Sequence, residues 1–276
     1  MTKRQADGCI SLSPFSAHHL PPSSSMSTIR INVWSGPRNI STALMYAFAQ
    51  RSDTCVVDEP LYAHYLRVSG AAHPGKQAVM DDMIGDGERV IREVILGPCD
   101  RPVLFLKQMA HHLVDVREDF LAATVNVLLI RDPVQMLPSL AQNLTQPILR
   151  DTGLAMQSAL YRQLLELGQQ PPVIESKQLL MDPRGVLSQL CAQIGISFEE
   201  NMLGWPAGAR PEDGIWAKYW YRSVHQSTGF ETYRAKSEPF PPRLLGLLAE
   251  CKPHYALLAQ KAIRANTITA EAPKVG

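Results

Sequence analysis

Residues 29–46, IRINVWSGPRNISTALMY, carry side chains suited to binding an anion. Apolar Ile29, Ile31, Val33 and Trp34 read as a buried strand over 29–34, and Gly36-Pro37 breaks it. Asn39, Ile40, Ser41 and Thr42 then lead into good helix formers over 43–49. A strand that feeds a helix through so short a turn aims unpartnered backbone N–H groups, and the positive end of the helix dipole, at one point. Arg38 adds a full charge there, and Ser41 and Thr42 add hydroxyl donors. A phosphate or sulfate group suits this loop; a well-capped turn with no ligand would look the same. The loop is not the G-x-x-x-x-G-K-[ST] signature of ATP and GTP sites, because Ser41 and Thr42 stand where that pattern needs Gly and Lys. Neither the P-loop Lys nor a metal-binding Asp of Mg²⁺–nucleotide chemistry is evident.

A second anion site is suggested by RDPVQMLPSLAQN, residues 131–143, which follows the apolar run VNVLLI. Arg131 leaves the strand where a ligand would bind, Asp132-Pro133 reads as a helix N-cap and first helical position, and Ser139 follows within the helix. Taken alone, this too could be a capping turn with a surface Arg.

The elements needed to position these residues are legible. Strand signals fall at 29–34, 54–57, 102–107, 125–130 and 172–175. Helical patterns fall between and after them, at 60–70, 76–96 (broken near Gly85–Gly87), 133–143, 154–168, 183–194 and 241–263, and 201–233 reads as irregular and aromatic. Strands alternating with helices imply an α/β fold with a central parallel sheet flanked by helices, and ligands at the carboxyl ends of the strands.

The 276 residues, 45% hydrophobic and 19% charged, suit one soluble domain over 29–265. A net charge of +1 argues against nucleic acid as a partner, and no apolar run is long enough to span a membrane. The five cysteines are odd in number and scattered, so spacing indicates neither a zinc site nor a disulfide framework, and a reducing, cytoplasmic setting is expected. Residues 1–28 are rich in Ser, Pro and His and read as a disordered extension; an organellar transit peptide, or a start at Met26, would also fit. Residues 266–276 read as a tail.

Together the two anion motifs resemble those of the sulfotransferases that use 3′-phosphoadenosine-5′-phosphosulfate (PAPS), a P-loop family. The resemblance extends through IESKQLLMDPRGVLSQLCAQIGISF and covers roughly residues 29–260. It points to the branch with an Arg in the phosphosulfate loop, and to the soluble sulfotransferase-like domains of bacteria and algae, relatives of which are joined to aminotransferase-like domains in plants. It implies a donor site made by Gly36, Pro37, Arg38, Asn39, Ile40, Ser41 and Thr42 for the 5′-phosphosulfate, with Arg131 and Ser139 on the 3′-phosphate. Arg222 and Ser227, in the aromatic stretch 218–230, match a loop that closes over the nucleotide; Tyr219, Trp220 and Tyr221 could stack on ligand or fill the core.

Glu59, in VVDEP, is implied as the general base, and Lys107, ending PVLFLK, as a second cation beside Arg38 on the leaving phosphate. If the strand persists, Asp58 and Glu59 point to opposite sides, so that only one faces the acceptor. The Lys-x-His of the aryl branch is missing, since Gln108 and Met109 follow Lys107, and His111 and His112 are possible substitutes for its base. No metal is required where fixed cations do this work. The expected partner is a small cytosolic hydroxyl compound, with residues 61–100 and 143–155 shaping its site. An NTP-dependent kinase or hydrolase, and a non-catalytic nucleotide-binding domain, are the competing readings.

Overall fold

A computed structural model describes residues 27–235 and 238–266. The expected extension and tail, except Ser27, Thr28 and Asn266, lie outside the described residues. Five parallel strands form one sheet in the order β2-β3-β1-β4-β5: β1 (Ile29–Ser35), β2 (Thr54–Asp58), β3 (Val103–Met109), β4 (Val125–Ile130) and β5 (Val173–Glu175). All seven residues of β3 are buried, as are Asn126–Ile130 of β4, which explains why these strands read as unbroken apolar runs.

Helices cover both faces. α1 (Ser41–Ala49) follows β1; α2 (Tyr62–Ser69), α3 (Lys76–Asp82) and α4 (Gly87–Val90) lie between β2 and β3, with α4 running on into a π turn at Ile91–Ile95. Between β4 and β5 come α5 (Pro133–Leu140), α6 (Leu149–Thr152) and α7 (Leu154–Glu166). After β5 come α8 (Ser176–Met181), α9 (Pro183–Gln193), α10 (Ala217–Trp220), α11 (Arg222–His225) and α12 (Leu245–Ala259). On one face Val33, Phe105 and Val127 pack against Leu44 and Phe48 of α1 and Leu187 and Leu190 of α9. On the other, Trp34, Leu106 and Leu128 pack against Leu160 and Leu164 of α7 and Leu258 of α12. Two apolar faces on one sheet make a three-layer sandwich.

Three departures from the pattern reading matter for the site. The first is at the end of β2. Its last residue is Asp58, and Glu59 adopts φ 43°, in the left-handed region. Strand alternation therefore stops before Glu59, and the two carboxylates need not diverge. The second is the stretch read as irregular, which contains the one-turn helices α10 and α11 and packs Trp216 and Tyr221 against Tyr62, Tyr65 and Leu66 of α2. Helices this short have too few periodic positions to register in sequence.

The third is α6, which supports the loop after β1 although no helical pattern is legible over its residues. A Cβ on Gly36 would lie 2.5 Å from the Thr152 carbonyl oxygen, so the close approach of the two backbones requires glycine. Gln157 of α7 then fastens β1 to β4, its amide donating to the carbonyls of Trp34 (2.9 Å) and Leu129 (2.8 Å) in a fully buried site. Replacing Gln157 with Leu keeps the volume and removes both bonds. Two-state urea or thermal unfolding should show a loss of about 1–3 kcal/mol, the cost of leaving a buried polar group without its partner.

Candidate active site

The strand order carries the ends of β2, β3, β1 and β4 to one edge of the sheet, and a cleft of about 710 Å³ opens there. Its volume suits a ligand of nucleotide or drug size. The whole loop from Gly36 to Thr42 lines it, with Glu59, Lys107 and Arg131. The sequence-predicted residues are thus brought together, with two exceptions. Ser139 is half-buried behind Arg38. Arg222 is exposed and is not among the lining residues. Ser227 lines the cleft, but its hydroxyl donates to the Val224 carbonyl (2.7 Å) and accepts from Trp205 Nε1 (3.2 Å).

At one end of the cleft the loop presents donors. Arg38 sits at φ 54°, a conformation that a non-glycine residue adopts at a cost. Its neighbours hold it there: Arg131 donates to the Arg38 carbonyl (2.6 Å), and Arg38 Nε donates to Ser139 Oγ (2.9 Å). Asn39 is fixed by the Leu129 carbonyl (3.0 Å) and by the Ser176 hydroxyl. Ile40, the N-cap of α1, has no side-chain oxygen to cap the helix, so its first N–H groups are left for a ligand. Neither Arg38 nor Arg131 has a carboxylate at ion-pair distance among the described residues. Burial pulls both guanidinium pKa values down, and Arg38 pulls that of Arg131 down further. Glu175 and Asp132 pull that of Arg131 partly back up. Two partly buried cations with no carboxylate at ion-pair distance, beside uncapped helix amides, suit an anion.

At the other end is a buried ion network. Lys107 Nζ lies 2.8 Å from Asp58 Oδ1 and 2.7 Å from Tyr221 Oη, and it donates to Glu59 Oε1. Tyr221 donates in turn to Asp58 Oδ2 (2.7 Å) and accepts from Trp216 Nε1 (3.1 Å). Glu59 is held by its own backbone, which accepts from Tyr62 N (2.9 Å) and donates to the Lys107 carbonyl (2.8 Å). Burial raises the Glu59 pKa against the opposing pull of Lys107. For Lys107 burial acts downward, but Asp58 and Glu59 outweigh it, and the ammonium is held charged well above its ordinary range.

His112 stands beside this network. Its ring is sandwiched between Tyr62 (centroids 4.9 Å apart, planes 5° apart) and Tyr65 (4.6 Å, 24°). Its Nδ1 is 3.9 Å from Glu59 Oε2 and, like His111 Nδ1, is buried without a hydrogen-bond partner. Burial keeps both imidazoles neutral, lowering His111 to about 3 and His112 well below its ordinary value. These histidines sit on a 3₁₀ turn, Ala110–His112, immediately after β3, which carries both to the cleft.

Two features of this network are not legible in sequence. Alternation allows only one of Asp58 and Glu59 to face the acceptor, and the resemblance selects Glu59, but φ 43° at Glu59 lets both reach Lys107. Tyr221, expected to stack on ligand or fill the core, instead bonds Lys107, and no local signal pairs residues 114 positions apart.

Comparison with known proteins accords with this geometry. The sulfotransferase domain family matches residues 29–262. Two Arabidopsis thaliana proteins, branched-chain-amino-acid aminotransferase-like proteins 2 and 1, are 37% and 38% identical to this chain over 229 residues. The match takes in 83% of this chain and 41% of each relative, so the chain spans about two fifths of their length. Among solved structures, the sulfotransferase domain of the Synechococcus PCC 7002 olefin synthase is similar at 16% identity, covering 83% of this chain and 96% of that one with a TM-score of 0.48. By its domain match over most of its length, the chain belongs to the sulfotransferase domain family.

Proposed function

We propose that this domain transfers a sulfuryl group from PAPS to a hydroxyl of a small acceptor. The observation that carries the reading is the polarity of the cleft: two guanidiniums with no carboxylate at ion-pair distance at one end, and a buried, base-like carboxylate at the other. The residues fit the donor. The Gly36 backbone, Arg38 and the uncapped amides of α1 suit its 5′-phosphosulfate, with Ser139 holding the Arg38 side chain, and Arg131 suits its 3′-phosphate. When bound, PAPS supplies the sulfuryl group on a phosphate leaving group, and the positive charge of Arg38 lies where that phosphate would gain negative charge.

In this reading the acceptor oxygen lies against Glu59 Oε2 and His112 Nδ1. Two groups 3.9 Å apart cannot bond each other, yet both reach one oxygen at ordinary hydrogen-bond length. Glu59 takes the hydroxyl proton. Neutral His112, as the Nδ1–H tautomer, donates to the same oxygen and fixes its position. Lys107 takes a different part from the one its strand-end position suggests. An ammonium has three protons, and Asp58, Glu59 and Tyr221 accept all three, so it orients Glu59 rather than meeting the phosphate. The walls near Glu59, including Tyr62, Tyr65, His73 and Trp216, suit an uncharged acceptor with a flat face.

Calorimetric titration tests the donor site. 3′,5′-Adenosine bisphosphate should bind more tightly than 5′-AMP, and Mg–ATP should gain nothing from the metal. Arg131→Ala should weaken the bisphosphate about 10–100-fold, as expected for a lost charge-assisted bond of about 1.5–3 kcal/mol, and hardly affect 5′-AMP. Equal losses for both ligands would refute the assignment, and tighter Mg–ATP binding would favour a kinase.

Transfer of labelled sulfate from PAPS into a panel of hydroxyl compounds tests catalysis. Glu59→Gln should lower turnover by about 10²–10⁴-fold at unchanged bisphosphate affinity. Because a base must be deprotonated to act and Glu59 is raised, kcat/KM should rise with pH through a limb above the ordinary glutamate range. Lys107 holds that pKa down, so Lys107→Met should move the limb to still higher pH.

His112→Phe preserves the stack and removes the nitrogen. It should lower kcat/KM about tenfold without altering donor affinity, the effect of one buried neutral hydrogen bond. Full activity in this variant would exclude His112 from the acceptor oxygen.

A further inference from the structure

Cys55, Cys99 and Asp100 lie outside the cleft. Cys55 is the second residue of β2, the edge strand, and Cys99 and Asp100 belong to the loop between the π turn and β3. Cysteine spacing in the sequence gave no cluster, but the fold makes one. The two Sγ atoms and an Asp100 carboxylate oxygen all lie within 4.8 Å of one another, and Cys55 Sγ is 3.6 Å from Asp100 Oδ1.

These distances have a chemical meaning. In a tetrahedral zinc site, with Zn–S near 2.3 Å and Zn–O near 2.0 Å, the S···O edge is about 3.5 Å and the S···S edge about 3.8 Å. The observed S···O edge of 3.6 Å is close to this value. Both cysteines pack against the apolar cluster of Trp34, Leu104 and Leu106, which fixes them before any ligand arrives, while Asp100 is exposed and leaves the site open to solvent. The three groups can all become anions, and Asp100 has no ion-pair partner among the described residues.

We propose that Cys55, Cys99 and Asp100 bind one thiophilic divalent cation of the Zn²⁺ class, with water in the fourth position. Two thiolates favour a soft or borderline ion over Mg²⁺ or Ca²⁺. Binding displaces the two thiol protons to solvent and leaves the oxidation state of sulfur unchanged. The site lies near the start of β2, away from Asp58 and Glu59 at its far end. Its effect is structural: the metal ties the edge strand to the loop entering β3, and these are the two strands that carry Glu59 and Lys107.

The test uses the full chain, freshly reduced and freed of metal, with Zn²⁺ and, separately, Cd²⁺ as probes. Calorimetry should give one equivalent bound, with proton release measurable as a dependence of the heat on buffer. The Cd²⁺ complex should show thiolate-to-metal absorption, and bound Zn²⁺ should raise the melting temperature. Cys55→Ser and Cys99→Ser, each checked by circular dichroism, should abolish the tight equivalent, and Asp100→Asn should weaken it. 3′,5′-Adenosine bisphosphate affinity should be the same with and without metal. The proposal falls if Zn²⁺ binding survives in the Cys55→Ser/Cys99→Ser double variant, if Mg²⁺ competes at equal concentration, or if the reduced protein binds no Zn²⁺. It also falls if Cys55 and Cys99 are found joined as a disulfide that re-forms in the presence of Zn²⁺.

Discussion

The site depends on one buried ammonium. Lys107 lies in the centre of the sheet edge, 2% exposed, and every proton on its nitrogen is taken by oxygen from another part of the chain. Removing water from a charge costs several kcal/mol unless its partners are in place, and breaking such a pair on one side typically costs about 3–5 kcal/mol. Asp58 and Glu59 come from the end of β2, and Tyr221 from the turn between α10 and α11. The aromatic segment is therefore tied to the sheet by electrostatics as well as by packing against α2. The same ammonium, with φ 43° at Glu59, brings two consecutive carboxylates to one point. Without that bend, Glu59 would leave the strand on the face opposite Asp58.

Strain is concentrated where ligands are expected. Of the three non-glycine residues with positive φ among those described, Arg38 and Glu59 line the cleft. Each such conformation costs on the order of 1–3 kcal/mol and persists only where its surroundings fix it. At Glu59 the surroundings are two backbone hydrogen bonds and Lys107. At Arg38 they are Arg131, Ser139 and the backbone contact between Gly36 and Thr152. The segment around α6 thus acts on the loop after β1 by packing, and the same segment lends Asp151 to the cleft wall.

The two ends of the cleft differ in how they manage charge. The loop end keeps two cations with no carboxylate at ion-pair distance among the described residues, a state that suits an anion. The other end keeps its imidazoles neutral by burial and aromatic stacking, so Glu59 is the group there left to accept a proton. The parallel sheet brings both ends to one edge, because its strands all finish on the same side.

Much of this was legible in the chain. Apolar runs such as VLFL and VLLI, buried on both faces, fixed the strands, and Gly36-Pro37 with Asp132-Pro133 fixed two turns that open helices. These signals are local, because they arise from burial of one segment and from backbone dihedrals at a turn. They were enough to place Arg38, Glu59, Lys107 and Arg131 at one sheet edge, since in a parallel sheet every strand end emerges on the same side. What only the tertiary structure decided is which side chains meet there. The break of alternation at Glu59, the docking of Tyr221 on Lys107, the support of Gly36 by Thr152 and the pairing of Cys55 with Cys99 all join residues distant in sequence. Their energies come from desolvation and close packing, which exist only once the chain has folded.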